Sequence, residues 1–167
     1  MANTYEAIAT NTLGSNATDI TFSSISSSYT DLVLVINVNG VSSAGGTLHC
    51  QVNSDTGNNY SFTFLGGNGS TASSSRLSST DRMLLTDYVV GLSTTTPTMV
   101  IAQFQNYSNT TTYKTMLSRG SGASTEVDAG VSLWRSTAAI NAIKIYMSGG
   151  KSMLTGTTAS LYGIKSA

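Results

Sequence analysis

His49 is the single histidine of this 167-residue chain and the first residue to examine for catalysis. A Ser-His-Asp or Cys-His arrangement would have to be built on it, because such sites use histidine as their general base. Cys50 follows directly, but neighbouring residues of an extended strand point to opposite faces, so the two cannot form a dyad. The chain also lacks a GxSxG sequence. We therefore predict that Cys50 lies in the core, that His49 lies on the surface, and that the protein is not an enzyme.

The sequence GGKS at Gly149 to Ser152 resembles the end of a phosphate-binding loop, in which backbone amides hold phosphate groups. The first glycine of that motif would have to lie five positions before Gly150. Ile145 occupies this position and falls within a predicted strand. We therefore predict a simple turn between strands, without a nucleotide.

The run NSDTGNN resembles half of a calcium-binding loop through Asn53, Asp55 and Gly57. It lacks the bidentate glutamate that would complete the loop, so an Asx turn is the preferred interpretation. The other acidic residues are scattered, and only Glu126 and Asp128 share a strand parity. Glycoside hydrolysis needs two carboxylates that flank a cleft, and the spacing does not indicate such a pair. We predict no metal, cofactor or catalytic residue.

Six tyrosines could offer stacking surfaces to a sugar or to another protein. They are Tyr60, Tyr88, Tyr107, Tyr113, Tyr146 and Tyr162. The ordinary alternative is that each ring packs against the sandwich and leaves its hydroxyl in water. Both interpretations stay open at the level of the sequence.

Charge argues against a nucleic-acid partner. Eight Lys and Arg balance eight Asp and Glu, and no segment gathers the basic residues into a run, whereas a phosphate backbone requires a clustered positive field. A net charge of zero instead favours association between proteins. No apolar run approaches the roughly 20 residues that span a bilayer, and the first residues lack the features of a signal peptide. We expect a soluble protein that is made in a cytoplasm and has no membrane partner.

Short apolar stretches separated by Gly, Asn, Ser and Thr predict about ten strands. Leu32 to Val38 is apolar on both parities, as in a central strand. Val127, Ala129, Val131 and Leu133 alternate regularly up to Trp134. Met1 to Leu13 is predicted as an N-terminal arm or an edge strand, and Gly66 to Thr80 as a long surface loop.

The run TAAINAIKIYM is the only stretch that could form a helix. Its alternating isoleucines favour a strand, with Ile143, Ile145 and Met147 opposite Lys144 and Tyr146. The sequence as a whole therefore predicts a single-domain, all-β, antiparallel β-sandwich over residues 1–167, with a jelly-roll-like arrangement.

Four stretches, ITFSSISSSYTDLVL, NSDTGNNYS, LWRSTAAINAIKIY and LYGIK, resemble a group of small virion proteins from tailed phages, including cyanophages. This resemblance implies a β-sandwich or jelly-roll subunit that serves as a capsid decoration (cement) protein or as a module of a tail fibre. It implies a homo-oligomer, often a trimer, that binds other virion proteins. It transfers no catalytic residue to this chain.

The chain has no collagen-like, coiled-coil or β-helical shaft segment, so the decoration role is preferred to the fibre role. We expect a virion protein, assembled in the host cytoplasm, whose partners are further copies of itself and the major capsid protein. The arm Met1 to Leu13 and the loop Gly66 to Thr80 are the expected contact elements. The alternative is a receptor- or glycan-binding module of a tail fibre or baseplate, which would use that loop and exposed tyrosines. A polysaccharide depolymerase is the third and least favoured function.

Overall fold

The computed structural model describes residues 4–87, 91–123 and 126–165. These residues form twelve β-strands and a short 3-10 turn at Ser148–Gly150. The strands are β1 (Tyr5–Thr12), β2 (Asp19–Phe22), β3 (Asp31–Val38), β4 (Leu48–Val52), β5 (Tyr60–Gly67), β6 (Ala72–Thr80), β7 (Met83–Leu84), β8 (Thr98–Gln105), β9 (Lys114–Gly122), β10 (Val127–Trp134), β11 (Ile143–Met147) and β12 (Thr158–Ile164). No helix in the described ranges is long and apolar enough to span a membrane.

The strands form two antiparallel sheets. The larger sheet has eight strands in the order β1-β12-β3-β8-β9-β10-β5-β6, and the smaller has four in the order β2-β11-β4-β7. Buried residues of both sheets form one hydrophobic cluster. The prediction of an antiparallel all-β sandwich is therefore confirmed.

The core is built from alternate residues of the inner strands of both sheets. Leu32, Leu34 and Ile36 of β3 belong to the same cluster as Ile143 and Ile145 of β11, and all five are fully buried. Burying each such side chain contributes about 1.5–3 kcal/mol to folding. Strand β3 pairs with β12 on one side and β8 on the other, which confirms its predicted central position. The predicted strand at β11 is also confirmed, with Lys144 and Tyr146 on its outward side.

The predicted surface loop from Gly66 to Thr80 is wrong, because most of it forms β6. This strand pairs with β5 along its whole length and forms a hairpin. Asn68 closes the turn by accepting hydrogen bonds from the amides of Ser70 and Thr71, with Gly69 at a φ of 85°. Eight of the nine residues of β6 are exposed, so burial imposes no apolar alternation on its sequence. The strand is formed by pairing with its neighbour, which a pattern of hydrophobicity does not reveal.

Two other sequence boundaries change. The segment Met1 to Leu13, predicted as an arm or an edge strand, forms the edge strand β1 in its described part. This strand pairs with β12 and shifts register between Ala7 and Ala9. Residues 1–3 lie outside the described residues. The stretch from Arg82 to Leu92, whose composition also predicts a strand, has only the two residues of β7 as strand in its described part. Residues 85–87 and 91–92 are not strand, and residues 88–90 lie outside the described part of the chain.

Candidate binding surface

The outward side of the strands β8, β9, β10 and β5 carries a continuous apolar surface. We call it the apolar face; it is formed by Met99, Ile101, Leu117, Arg119, Val127, Ala129, Val131, Leu133 and Leu65. The other outward residues of these four strands are Gln103, Gln105, Thr115, Ser121, Ser61, Thr63 and Gly67. Arg119 is therefore the one charged residue on this side of the four strands, and no carboxylate accompanies it.

Pairing registers place these residues next to one another. Ile101, Arg119, Ala129 and Leu65 follow one another across the four strands in a single row. Side chains in this region are unusually accessible: Leu65 is 62% exposed, and Val127 is 56% exposed. An exposed and contiguous set of large apolar side chains indicates a binding surface, whereas single exposed residues do not.

Two shallow depressions lie on either side of Arg119. One, of about 160 Å³, is lined by Ile101, Leu117 and Ala129. The other, of about 280 Å³, is lined by Met99, Ile101 and Val127. The apolar face is therefore uneven, and side chains of a partner can fit into its two depressions.

Polar contacts on the inward side explain why the apolar residues of β10 point outwards. Strand β7 lies at the edge of the smaller sheet and pairs only with β4, so its backbone needs further partners. Ser132 accepts a hydrogen bond from the Leu84 amide at 3.1 Å, and Ser118 donates one to the Leu84 carbonyl at 3.2 Å. Asp128 Oδ2 accepts a hydrogen bond from the Asp87 amide at 2.9 Å. Three inward positions of β9 and β10, those of Ser118, Ser132 and Asp128, are therefore occupied by polar residues that hold this segment.

Asp128 is the carboxylate on this inward side, and its pKa departs from the usual value. Burial raises the pKa of Asp128 to about 6, although hydrogen bonds from the amides of Asp87 and Gly120 favour its charged form. Gly120 lies directly opposite Asp128, and a Cβ at that position would stand 2.7 Å from Asp128 Oδ1. A side chain at this position would therefore displace the carboxylate from the hydrogen bonds that hold it. Glu126 does not lie within a strand, so the predicted shared parity of these two acids has no counterpart in the fold.

The outward side of the smaller sheet has a different character. On β2, β4 and β11 its residues are Asp19, Thr21, His49, Gln51, Lys144 and Tyr146, none of which is aliphatic. On β7 the residue beside His49 is Leu84, which is only 5% exposed. Lys144 Nζ lies 3.8 Å from Asp19 Oδ2, in an exposed ion pair. The two outer sides of one sandwich thus differ, because no strand of the smaller sheet presents an exposed aliphatic side chain. This contrast identifies the apolar face as the distinctive surface.

The prediction that His49 is a surface residue is wrong. Its side chain points to the outward side of β4, as the alternation requires, but it is only 5% exposed. The Tyr146 ring lies edge-on to it with centroids 5.3 Å apart, and Thr47 Oγ1 is hydrogen-bonded to Nε2. Burial, and secondarily the positive charge of Arg82, lower the pKa of His49 to about 4, against the opposing effect of Asp81. His49 is therefore neutral at physiological pH.

Cys50 is fully buried between the sheets, as predicted. Burial raises the pKa of its thiol, so the reactive thiolate form is suppressed. The residue behaves as a small apolar core residue.

The NSDTGNN run forms the predicted Asx turn. Asp55 Oδ1 accepts a hydrogen bond from the Gly57 amide at 2.9 Å, and Oδ2 accepts one from Trp134 Nε1 at 2.6 Å. Asn59 Nδ2 donates to both carboxylate oxygens. Burial opposes the ionisation of Asp55, but the hydrogen bonds from Trp134, Asn59 and Gly57 together hold its pKa below the usual value. The carboxylate is engaged in joining this turn to the end of β10.

The GGKS stretch forms the predicted turn. Gly149 and Gly150 both have positive φ values, of 66° and 68°. Lys151 Nζ donates hydrogen bonds to the carbonyl oxygens of residues 43–45. The lysine that a phosphate loop would use for its ligand therefore stabilises a neighbouring loop instead.

The tyrosines in the described part of the chain do not form a common platform. Tyr60 and Tyr107 are fully buried, and Tyr60 stacks on Trp134 with ring centroids 6.4 Å apart. Tyr113 is 55% exposed, and Tyr88 lies outside the described residues. Nothing in the sequence pattern indicated the role of Lys114, which is buried and donates to the carbonyls of Thr112 and Thr137.

Within residues 4–87, 91–123 and 126–165, no three His, Cys, Asp or Glu side chains come together in a way that could hold a metal ion. The arrangement that stands out is a surface suited to binding by burial. Sequence reasoning missed it, although the regular alternation of Val127, Ala129, Val131 and Leu133 was its visible sign.

No protein-family model matches this chain, and no curated protein sequence matches it significantly.

Proposed function

We propose that this protein is a structural virion protein, a capsid decoration protein that binds the phage shell through the apolar face and stabilises it. The observation that supports this proposal is the exposed apolar surface on one outer side of the sandwich and its absence from the other. Its composition suits association with a protein. The resemblance to small virion proteins supplies the choice of partner, the major capsid protein.

The size of the face is compatible with the core of an interface. Four strands about 4.8 Å apart and about six residues of about 3.4 Å along each give a projected area of roughly 400 Å². A stable interface buries about 800 Å² on each partner, with an apolar centre and a polar rim. Gln103, Gln105 and Thr115 border the face and are suited to that rim.

The geometry also keeps the entropic cost of binding low. The side chains of the apolar face stand on a sheet whose strands are hydrogen-bonded on both sides, so little backbone freedom remains to be lost on association. Many symmetric copies, each bound with moderate affinity, would then oppose the internal pressure of packaged DNA by multivalency.

The elements expected from the sequence to make the contacts have a lesser part in this proposal. Strands β1 and β6 are the two edges of the larger sheet, and neither is a free arm or loop. The homo-oligomer, often a trimer, that the resemblance implies belongs to the proposal as well, and it would use a surface other than the apolar face. The alternative, a receptor- or glycan-binding module, relied on the loop and the tyrosines, and it has weaker support here.

The test measures binding of the purified protein to expanded, DNA-free capsids of the phage by co-sedimentation. Leu117 and Val131 are each 47% exposed, so their burial by a partner would contribute to the binding free energy. Replacing each by Ser should remove about 1 kcal/mol of that contribution. The double variant Leu117→Ser/Val131→Ser should bind about 30-fold more weakly. In a second assay, on DNA-filled particles, it should fail to delay the thermal release of DNA.

Leu77→Ser is the matched control, since Leu77 is 44% exposed but lies on β6, opposite Phe62 on the other side of the sheet. Equal binding by the double variant and the control would show that another surface makes the contact. Binding of the protein to host cells and not to capsids would instead support the receptor-binding alternative.

A further inference from the structure

We infer that the partner of the apolar face presents a carboxylate to Arg119, flanked by apolar side chains, and is a different protein rather than a second copy of this chain. This inference rests on the proposed function only in taking the face to be a docking surface. It names the chemistry of what docks there.

Arg119 is one of two basic residues that have no hydrogen-bond or ion-pair partner among the described residues. Six of the eight basic residues are engaged within the described part of the chain: Arg82, Lys144 and Lys165 in ion pairs, and Lys114, Arg135 and Lys151 with backbone carbonyls. No described residue accepts a hydrogen bond or forms an ion pair with Arg119 or with Arg76. Arg76 lies on the exposed edge strand β6, whereas Arg119 lies at the middle of the apolar face.

A guanidinium that is covered on binding must find an acceptor, because an unpaired buried charge is costly. The carboxylate on the neighbouring strand β10 cannot supply it. Asp128 neighbours Arg119 on the adjacent strand, but it points inwards and its oxygens accept hydrogen bonds from the amides of Asp87 and Gly120. The acceptor therefore has to come from the partner.

The same argument disfavours stacking of two copies through this face. Two-fold symmetry would bring Arg119 of each copy towards the centre of the interface. The face carries no carboxylate, so both guanidiniums would be buried without a counter-charge. A heterologous partner with one acidic residue avoids this cost, since guanidinium and carboxylate pair through two parallel hydrogen bonds.

The depressions on either side of Arg119 complete the description of the partner. One lies beside Leu117 and the other beside Val127. An apolar side chain on each side of the carboxylate would fill them while the charge pair forms between. Arg119 would thus set the position and orientation of the partner, and the depressions would supply most of the buried area.

The test selects binders from a random peptide library displayed on yeast, with the intact wild-type protein as bait. Selected peptides should be enriched in Asp or Glu flanked by apolar residues. Arg119→Gln should bind them at least about tenfold more weakly, the loss expected for a hydrogen bond to a charged group. Arg76→Gln is the matched control and should bind them as the wild type does.

A library that yields no binder, binders without an acidic bias, or binders that Arg119→Gln retains would each overturn the inference. Capsid co-sedimentation of the same variants distinguishes a failure of this inference from a failure of the proposed function. If Arg119→Gln binds capsids as the wild type does, the partner chemistry is wrong and the decoration role stands. If the wild type does not bind capsids but selects acidic peptides, the decoration role fails and the partner chemistry stands.

Discussion

His49 and Asp128 should make opposite contributions to the pH dependence of stability, and the two should nearly cancel in the wild-type protein. The folded pKa of His49 is about 4, below its ordinary value of 6.5. The unfolded chain therefore binds a proton that the folded chain does not, and stability is lost as pH falls from about 6.5 to about 4. Arg82, Asp81 and Tyr146 are the charged or titratable neighbours of this ring.

Asp128 has the opposite sign. Its folded pKa is about 6, above its ordinary value of 3.8, so the folded chain holds the proton more tightly. Its contribution to stability is complete below pH 3.8 and is lost as pH rises through about 6. Each shift exceeds two pH units, and at about 1.4 kcal/mol per unit each group contributes about 3 kcal/mol over the interval. This is a large part of the roughly 5–15 kcal/mol that ordinarily stabilises a domain.

The experiment is urea unfolding at several pH values between about 7 and about 4, followed by the fluorescence of Trp134, the only tryptophan. The wild-type free energy of unfolding should change by no more than about 1 kcal/mol. Asp128→Asn should lose about 3 kcal/mol on acidification, because only the contribution of His49 remains. His49→Gln should gain a similar amount. Asp55 does not interfere, since its lowered pKa places its titration below this interval.

The double variant His49→Gln/Asp128→Asn is the control, and its profile should be flat again. The slope with pH is the measured quantity, because Asp128→Asn also removes a hydrogen-bond acceptor and so lowers stability equally at all pH values. A profile for Asp128→Asn parallel to that of the wild type would refute the reasoning for the carboxylate. The same result for His49→Gln would refute it for the imidazole.

Two further predictions concern the same strands. Gly120→Ala should lower the free energy of unfolding by about 1–3 kcal/mol, because its Cβ would stand 2.7 Å from Asp128 Oδ1. Urea unfolding measures this loss, and Gly14→Ala is the control, since a Cβ there meets nothing within 4 Å. An equal loss in both variants would contradict the explanation. Arg119→Leu should promote concentration-dependent self-association, measured by sedimentation velocity, because it removes the charge that opposes stacking of two apolar faces. Arg76→Leu is the control and should not self-associate. Identical sedimentation of the two variants would count against that role of Arg119.

The sequence predicts the fold class well because most strands are patterned by burial. At β11, Ile143, Ile145 and Met147 are buried and Lys144 points outwards, as alternation requires. Strand β6 could not be foreseen in this way, since almost all of it is exposed and its Ser-rich sequence carries no period. Its existence depends on pairing with β5, which is a property of the folded chain.

The candidate site was harder to predict because alternation indicates a strand without saying which side faces the core. The alternation of Val127, Val131 and Leu133 predicts a strand with one apolar side. That side faces outwards because Ser132 and Asp128, on the opposite side, bind the backbone of the β7 segment. His49 shows the converse error. Its polar side was expected to be wet, but Tyr146 on the next strand covers it, and that neighbour is known only once β4 and β11 are paired.

The pairing of β1 with β12 has a mechanical consequence. These two strands lie side by side and antiparallel, and Tyr5 is opposite Ile164. A force that separates Tyr5 from Ile164 would therefore unzip this ladder one hydrogen bond after another and would peel β1 away at low tension. A force applied along β9 or β10 would instead shear long ladders on both sides at once. If the protein is loaded through residues next to Tyr5 and Ile164, the β1–β12 ladder should therefore separate before the strands that carry the apolar face are distorted.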